Sequence, residues 1–96
     1  MRLIWSPMAV EDIEELRDHI AAESPQQAAV VVRRLVAAAE SLTDLPGRGR
    51  VVPEVGDDAI RELIIRPFRL VYRVSETAVG IVTVLRSTRL FPRDIR

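Results

Sequence analysis

The chain contains no cysteine and no lysine, a single histidine (His19), one tryptophan, one tyrosine and two phenylalanines. Without cysteine there is no disulfide framework and no thiolate metal site, and one histidine cannot build a histidine-rich one. No metal or other cofactor is expected. Without lysine, all 14 cationic side chains are arginine. Arginine stays protonated, so it grips anions well but is a poor proton shuttle. No apolar run approaches the roughly 18–20 residues that span a bilayer. The opening Met1-Arg2-Leu3-Ile4-Trp5-Ser6-Pro7 has only three apolar residues before Ser6-Pro7, too few for a secretory leader. A cytoplasmic location away from membranes is expected. With 48% hydrophobic residues, the chain has too much apolar content for disorder. Ninety-six residues make one domain, 1–96.

The 14 arginines meet 14 acidic residues, a net charge of zero, which argues against bulk electrostatic attraction to nucleic acid. The balance is uneven along the chain. Residues 1–45 carry 4 arginines and 8 acids, and residues 46–96 carry 10 arginines and 6 acids. An acidic half precedes a basic half.

Periodicity changes at the same place. Arg2-Leu3-Ile4-Trp5 reads as a short strand. Ser6-Pro7 supplies a helix N-cap with proline at the first helical position. Ala9, Ile13, Leu16 and Ile20 then form one apolar stripe. Ser24, Pro25 and Gln27 restart the pattern as a capping-box signature. Ala28, Val31, Leu35, Ala38, Leu42 and Leu45 follow at helical spacing until Pro46-Gly47 ends it. Residues 47–59 read as a loop. Three strand-like runs follow: Arg61 to Arg66, Phe68 to Val74 and Val79 to Arg86. Links this short suit antiparallel hairpins. The order β-α-α-β-β-β predicts an α+β domain, with a helical hairpin on one face of a small antiparallel sheet. Residues 87–96 read as a basic C-terminal tail.

Within Phe68–Val74, alternation places Phe68, Leu70, Tyr72 and Val74 on one face and Arg69, Val71 and Arg73 on the other. The second face is expected to carry Arg69 and Arg73, joined by some of Arg61, Arg66, Arg86 and Arg89. Guanidinium groups at such spacing suit bidentate recognition of carboxylate or phosphate. The competing reading is internal salt bridging to Glu54, Glu62, Asp57 and Asp58. Trp5 and Tyr72 read as core, and His19 as flanking the core, since no partner set for catalysis can be assembled around it. Gly47-Arg48-Gly49-Arg50 lacks the strand–loop–helix context of a phosphate loop. Glu62 reads as a cross-sheet partner of a cation.

A family pattern runs through these residues from about 3 to 89. Trp5-Ser6-Pro7-x-Ala9-x-x-Asp12-Ile13, Ile20-Ala21 and Ser24-Pro25-x-x-Ala28 resemble the start of ParE/RelE-superfamily toxins. So do Leu45-Pro46, Gly49-Arg50-x-Val52-Pro53-Glu54, Arg61-Glu62-Leu63-Ile64 and Phe68-Arg69-Leu70-Val71-Tyr72-Arg73-Val74. The resemblance implies the β-α-α-β-β-β fold and the toxin role of a type II toxin–antitoxin module, of the kind linked to plasmid stabilization. It implies a cognate ParD-like antitoxin as hetero-oligomeric partner, with DNA contacted only indirectly through that antitoxin. ParE-like members inhibit DNA gyrase by binding, whereas RelE-like members cleave mRNA on the ribosome. RelE-like members supply lysine and a C-terminal tyrosine or histidine, and this chain has none of these after Tyr72. Leu85-Arg86-Ser87-Thr88-Arg89 carries Arg86 where ParE-like members usually have histidine. The expectation is a non-enzymatic gyrase inhibitor that binds its target through Arg61, Arg69, Arg73, Arg86, Arg89 and Arg93. The alternatives are an mRNA interferase and a non-toxic member that only binds its antitoxin.

Overall fold

The computed structural model describes residues 1–87. Arg89 and Arg93, with the rest of the basic tail after Ser87, lie outside the described residues. The chain runs β1 (Arg2–Trp5), α1 (Pro7–Ala21), α2 (Pro25–Ser41), a short 3-10 turn (Pro46–Arg48), β2 (Arg50–Val51), β3 (Ile60–Ile65), β4 (Phe68–Val74) and β5 (Ala78–Arg86).

Both predicted caps form. Ser6 Oγ accepts from the Ala9 amide at 3.0 Å, and Ser24 Oγ accepts from the Gln27 amide at 3.1 Å. Each satisfies an amide that lacks a partner in the first helical turn. Ser6 does more, because its hydroxyl also donates to the Val82 carbonyl of β5 at 2.7 Å. The stripe predicted for the second helix is cut short. α2 ends at Ser41 and Leu42 is its cap, so Leu45 is 63% exposed rather than core. Leu45 precedes Pro46, which disfavours the helical backbone, and it adopts φ −130°, ψ 70°.

The five strands make one sheet in the order β1-β5-β4-β3-β2. The β2–β3, β3–β4 and β4–β5 pairs are antiparallel. The expected wholly antiparallel sheet is corrected at one edge: β1 runs parallel to β5, with Arg2 opposite Ala78 and Trp5 opposite Ile81. A parallel pair needs a long crossover connection, and the helical hairpin with the three-strand meander supplies one. The segment expected to be loop also contributes β2, which covers only Arg61 and Glu62 of β3.

The two helices cover one face of the sheet. Leu35 and Leu42 are fully buried there with Leu70, Tyr72 and Ile81. Each such side chain contributes about 1.5–3 kcal/mol by leaving water. The opposite face is not purely polar. Val52, Ile60 and Val71 form a small second core there, flanked by Val55 and Val82. Residues 52–59 thus cover part of the face that alternation assigned to the arginines.

A register shift interrupts the β4–β5 ladder: Val71 faces Thr83, Tyr72 faces Ile81, and Val82 is the extra residue. Such bulges re-aim the side chains beside them. Here the Val84 amide donates to Asp12 Oδ2 at 2.9 Å, and the Thr83 hydroxyl donates to the same oxygen. Asp12 of α1 therefore occupies the part of β5 that β1 does not reach.

Candidate binding face

The arginine-bearing face is organised around a buried carboxylate. Ile60, Glu62 and Ile64 alternate onto the same side of the sheet as Arg69, Val71 and Arg73. The Glu62 side chain is completely buried. It accepts from Arg69 Nε at 2.6 Å through Oε1 and from Arg50 Nε at 2.7 Å through Oε2. The other side of the Arg69 guanidinium meets Glu54: Nη1 and Nη2 donate to Oε2 and Oε1 at 2.9 and 3.0 Å. This is the bidentate fork that arginine forms with planar oxyanions. The fork, opposed by partial desolvation, draws the Glu54 pKa below the usual carboxylate value. Glu54, then Glu62, raise that of Arg69 despite its burial. Buried charges of this kind are tolerated because every donor has a partner. No buried side-chain polar atom among the described residues lacks one.

The internal salt-bridge reading therefore describes Arg69, and the four candidate arginines among the described residues, Arg61, Arg69, Arg73 and Arg86, do not share a face. Arg61 lies on the helix side of β3 with Leu63 and Ile65. Its Nη1 donates to the Gly49 carbonyl and its Nε to the Asp58 carbonyl, both at 3.0 Å. It ties two ends of the β2–β3 segment together. Arg86 also lies on the helix side, with its guanidinium carbon 5.5 Å from the centre of the Phe68 ring. Arg73 remains on the Arg69 face and is exposed. Arg66, expected on this face, and Arg50, which was not, join Arg69 instead. Arg50 and Arg66 line a cleft of about 400 Å³ with Glu54, Ile64, Arg69 and Ser87. A second cleft, of about 460 Å³, lies between α1 and the end of β5 and includes Asp12, Glu15, His19 and Arg86. His19 is exposed there, beside carboxylates rather than in a relay.

Gly49 and Tyr72 fix the edge of this arrangement. The Tyr72 hydroxyl donates to the Pro46 carbonyl and accepts from the Gly49 amide, both at 2.8 Å. Its burial pushes the phenol pKa up. A β-carbon on Gly49 would lie 2.5 Å from the Glu62 carbonyl oxygen and 2.6 Å from the Tyr72 hydroxyl. Of the Gly-Arg-Gly-Arg run, Gly49 thus serves close packing, while nothing lies within 4 Å of a β-carbon at Gly47. Among the described residues no three His, Asp or Glu side chains converge to hold a metal, and no helix is long and apolar enough to cross a membrane.

A helical hairpin on a five-stranded mixed sheet is the fold of toxins from toxin–antitoxin systems. A solved structure of the chromosomal ParDE TA system from P. aeruginosa matches with a TM-score of 0.76 and 25% identity, covering 90% of this chain and 95% of that one. Toxin RelE2 of Caulobacter vibrioides is 33% identical over 90 residues, which is 93% of this chain and 98% of that protein. The family model for the ParE toxin of the type II toxin–antitoxin system, parDE, matches residues 3–91. The chain belongs to the ParE toxin family.

Proposed function

We propose that this toxin acts in the cytoplasm by binding DNA gyrase, without catalysing a reaction, and that a ParD-like antitoxin neutralises it. The observation that carries this reading is the state of Arg69. Cleaving RNA by attack of a 2′-hydroxyl requires a proton acceptor and a proton donor around one phosphate. Arg69 is instead closed between Glu62 and Glu54, and the chain has no lysine to assist it. Tyr72, the only tyrosine, is committed to Pro46 and Gly49 on the other side of the sheet. The exposed arginines Arg73 and Arg86, on opposite sides of the sheet, are the contacts offered to the target, and Arg69 orders the face that carries Arg73.

The test is a supercoiling assay with purified gyrase. Dose-dependent loss of supercoiling is expected. Unchanged supercoiling at a large excess of folded toxin would refute the proposal. The name of the Caulobacter relative gives reason to test ribosome-dependent mRNA cleavage alongside. Cleavage in a translating extract, lost on Arg69→Ala, would replace gyrase inhibition as the reading. Normal growth on expression without antitoxin would point to a member that only binds its antitoxin.

A further inference from the structure

The cleft beside Arg69 has three properties that belong together. The first is an asymmetry between its two carboxylates. The Glu62 side chain is 0% exposed and sits inside the sheet, so it cannot leave. The Glu54 side chain is 44% exposed. Glu54 lies on a turn held by other contacts: Val52 is buried, and the Val55 and Gly56 amides donate to the Val52 carbonyl at 3.1 and 3.0 Å. The Glu54 side chain can therefore swing away by rotation while its backbone stays in place. One carboxylate fixes the guanidinium, and the other occupies its outward fork.

The second property is charge. Arg50, Arg66 and Arg69 line the cleft with Glu54, and buried Glu62 pairs with Arg50 and Arg69 from behind. When Glu54 withdraws, one negative charge leaves the side of these arginines, and an incoming carboxylate restores it. The third property is a strand edge. β2 pairs only with Arg61 and Glu62. Among the described residues no strand pairs with Leu63–Ile65 on the side away from β4. Ile64, which lines the cleft, is 38% exposed at this edge. Open edges accept extended segments through main-chain hydrogen bonds, with alternate side chains giving specificity.

We propose that the Arg50–Arg66–Arg69 cleft recognises an acidic side chain carried on an extended segment of a partner protein lying along Leu63–Ile65, and that Glu54 is the chain's own stand-in for that carboxylate, displaced on docking. The proposal rests on the antitoxin reading only for the source of the partner.

The test uses the folded toxin and a blocked five-residue peptide of alternating valine and glutamate, with the valine–glutamine peptide as control. Arginine Nε–Hε and backbone amide resonances report binding. The glutamate peptide is expected to shift Arg66, Arg69 and the amides of Leu63–Ile65, and the control peptide to shift none of them. Glu54→Gln removes the internal competitor. If Glu54 holds the fork nine-tenths of the time, its loss tightens binding about tenfold. Arg66→Gln, an exposed change that leaves the fold intact, weakens it. Equal affinity of wild type and Glu54→Gln, equal binding of both peptides, or shifts mapping elsewhere would each overturn the proposal. The titration needs neither gyrase nor antitoxin, so its failure leaves the supercoiling result standing, and the converse also holds.

Discussion

Replacing Tyr72 by phenylalanine removes one oxygen atom and leaves two polar groups behind. The Gly49 amide loses its acceptor and the Pro46 carbonyl its donor, each now at 2.8 Å. Gly49 is buried, so its amide has no water to turn to. An orphaned buried donor costs about 1–3 kcal/mol. Pro46 is partly exposed, so water replaces much of what its carbonyl loses. Together these give a destabilisation of about 2 kcal/mol. For a domain of this size, that lowers the melting temperature by roughly 8–16 °C. The single tryptophan, Trp5, packs against the core and provides a fluorescence signal for urea unfolding. The midpoint should fall while the slope stays constant, because the surface exposed on unfolding is unchanged. The raised phenol pKa adds a second signature. A group that titrates higher in the fold contributes stability that is complete below its unfolded pKa of about 10. That stability disappears as pH rises through the folded value. Wild type should lose stability in that alkaline range, and Tyr72→Phe should not lose this component. A difference below about 0.5 kcal/mol at neutral pH, typical of surface changes, would refute the view that the hydroxyl holds the turn.

Gly49→Ala is expected to cost about 3 kcal/mol through overpacking. Combining it with Tyr72→Phe should give no rescue, because the Glu62 carbonyl still blocks the new methyl; denaturant titration of the double variant checks this. Asp12→Ala removes the acceptor for the Val84 amide and the Thr83 hydroxyl, with an expected loss of about 1–3 kcal/mol. Hydrogen exchange should quicken first at the end of β5. The Glu54 pKa is lowered in the fold, so its contribution is complete above the ordinary glutamate value of about 4.3. It is lost as pH falls through the lower folded value. Acid unfolding of wild type and Glu54→Gln should converge at the acid end of that range.

Helix positions were legible because their signals are local. Serine–proline caps and three-four spacing depend on neighbours within a turn or two, and they place α1 and α2 to within a few residues. Leu45 misled because it continues the spacing, while Pro46 prohibits the backbone the spacing needs. The parallel β1–β5 edge was not legible. A four-residue strand says nothing about which of several later strands it will join. The same holds for β2, whose two residues carry no period. The arginine face was half legible. Alternation correctly separated Arg69 from the helix side. It could not show that residues 52–59 fold over the same face and bring Glu54 to Arg69. Nor could it fix the β3–β4 register, which sets Glu62 opposite Val71 on the Arg69 face and Arg61 opposite Tyr72 on the helix face. The role of Asp12 emerges only through the bulge at Val82, and strict alternation contains no bulges.

The seating of β1 has a consequence for synthesis. Ser6 reaches Val82 across 76 positions, and β1 pairs with Ala78–Ile81. Closing a loop of that length carries a larger entropy cost than any hairpin in the sheet. At roughly 5–20 residues per second, β1 waits for the ribosome to release β5. A product cut off before residue 78 has helices with caps but no β5 to receive β1, Ser6 or Asp12. The sheet therefore acts as a continuity check: β1, Ser6 and Asp12 find their seats only in chains translated through β5.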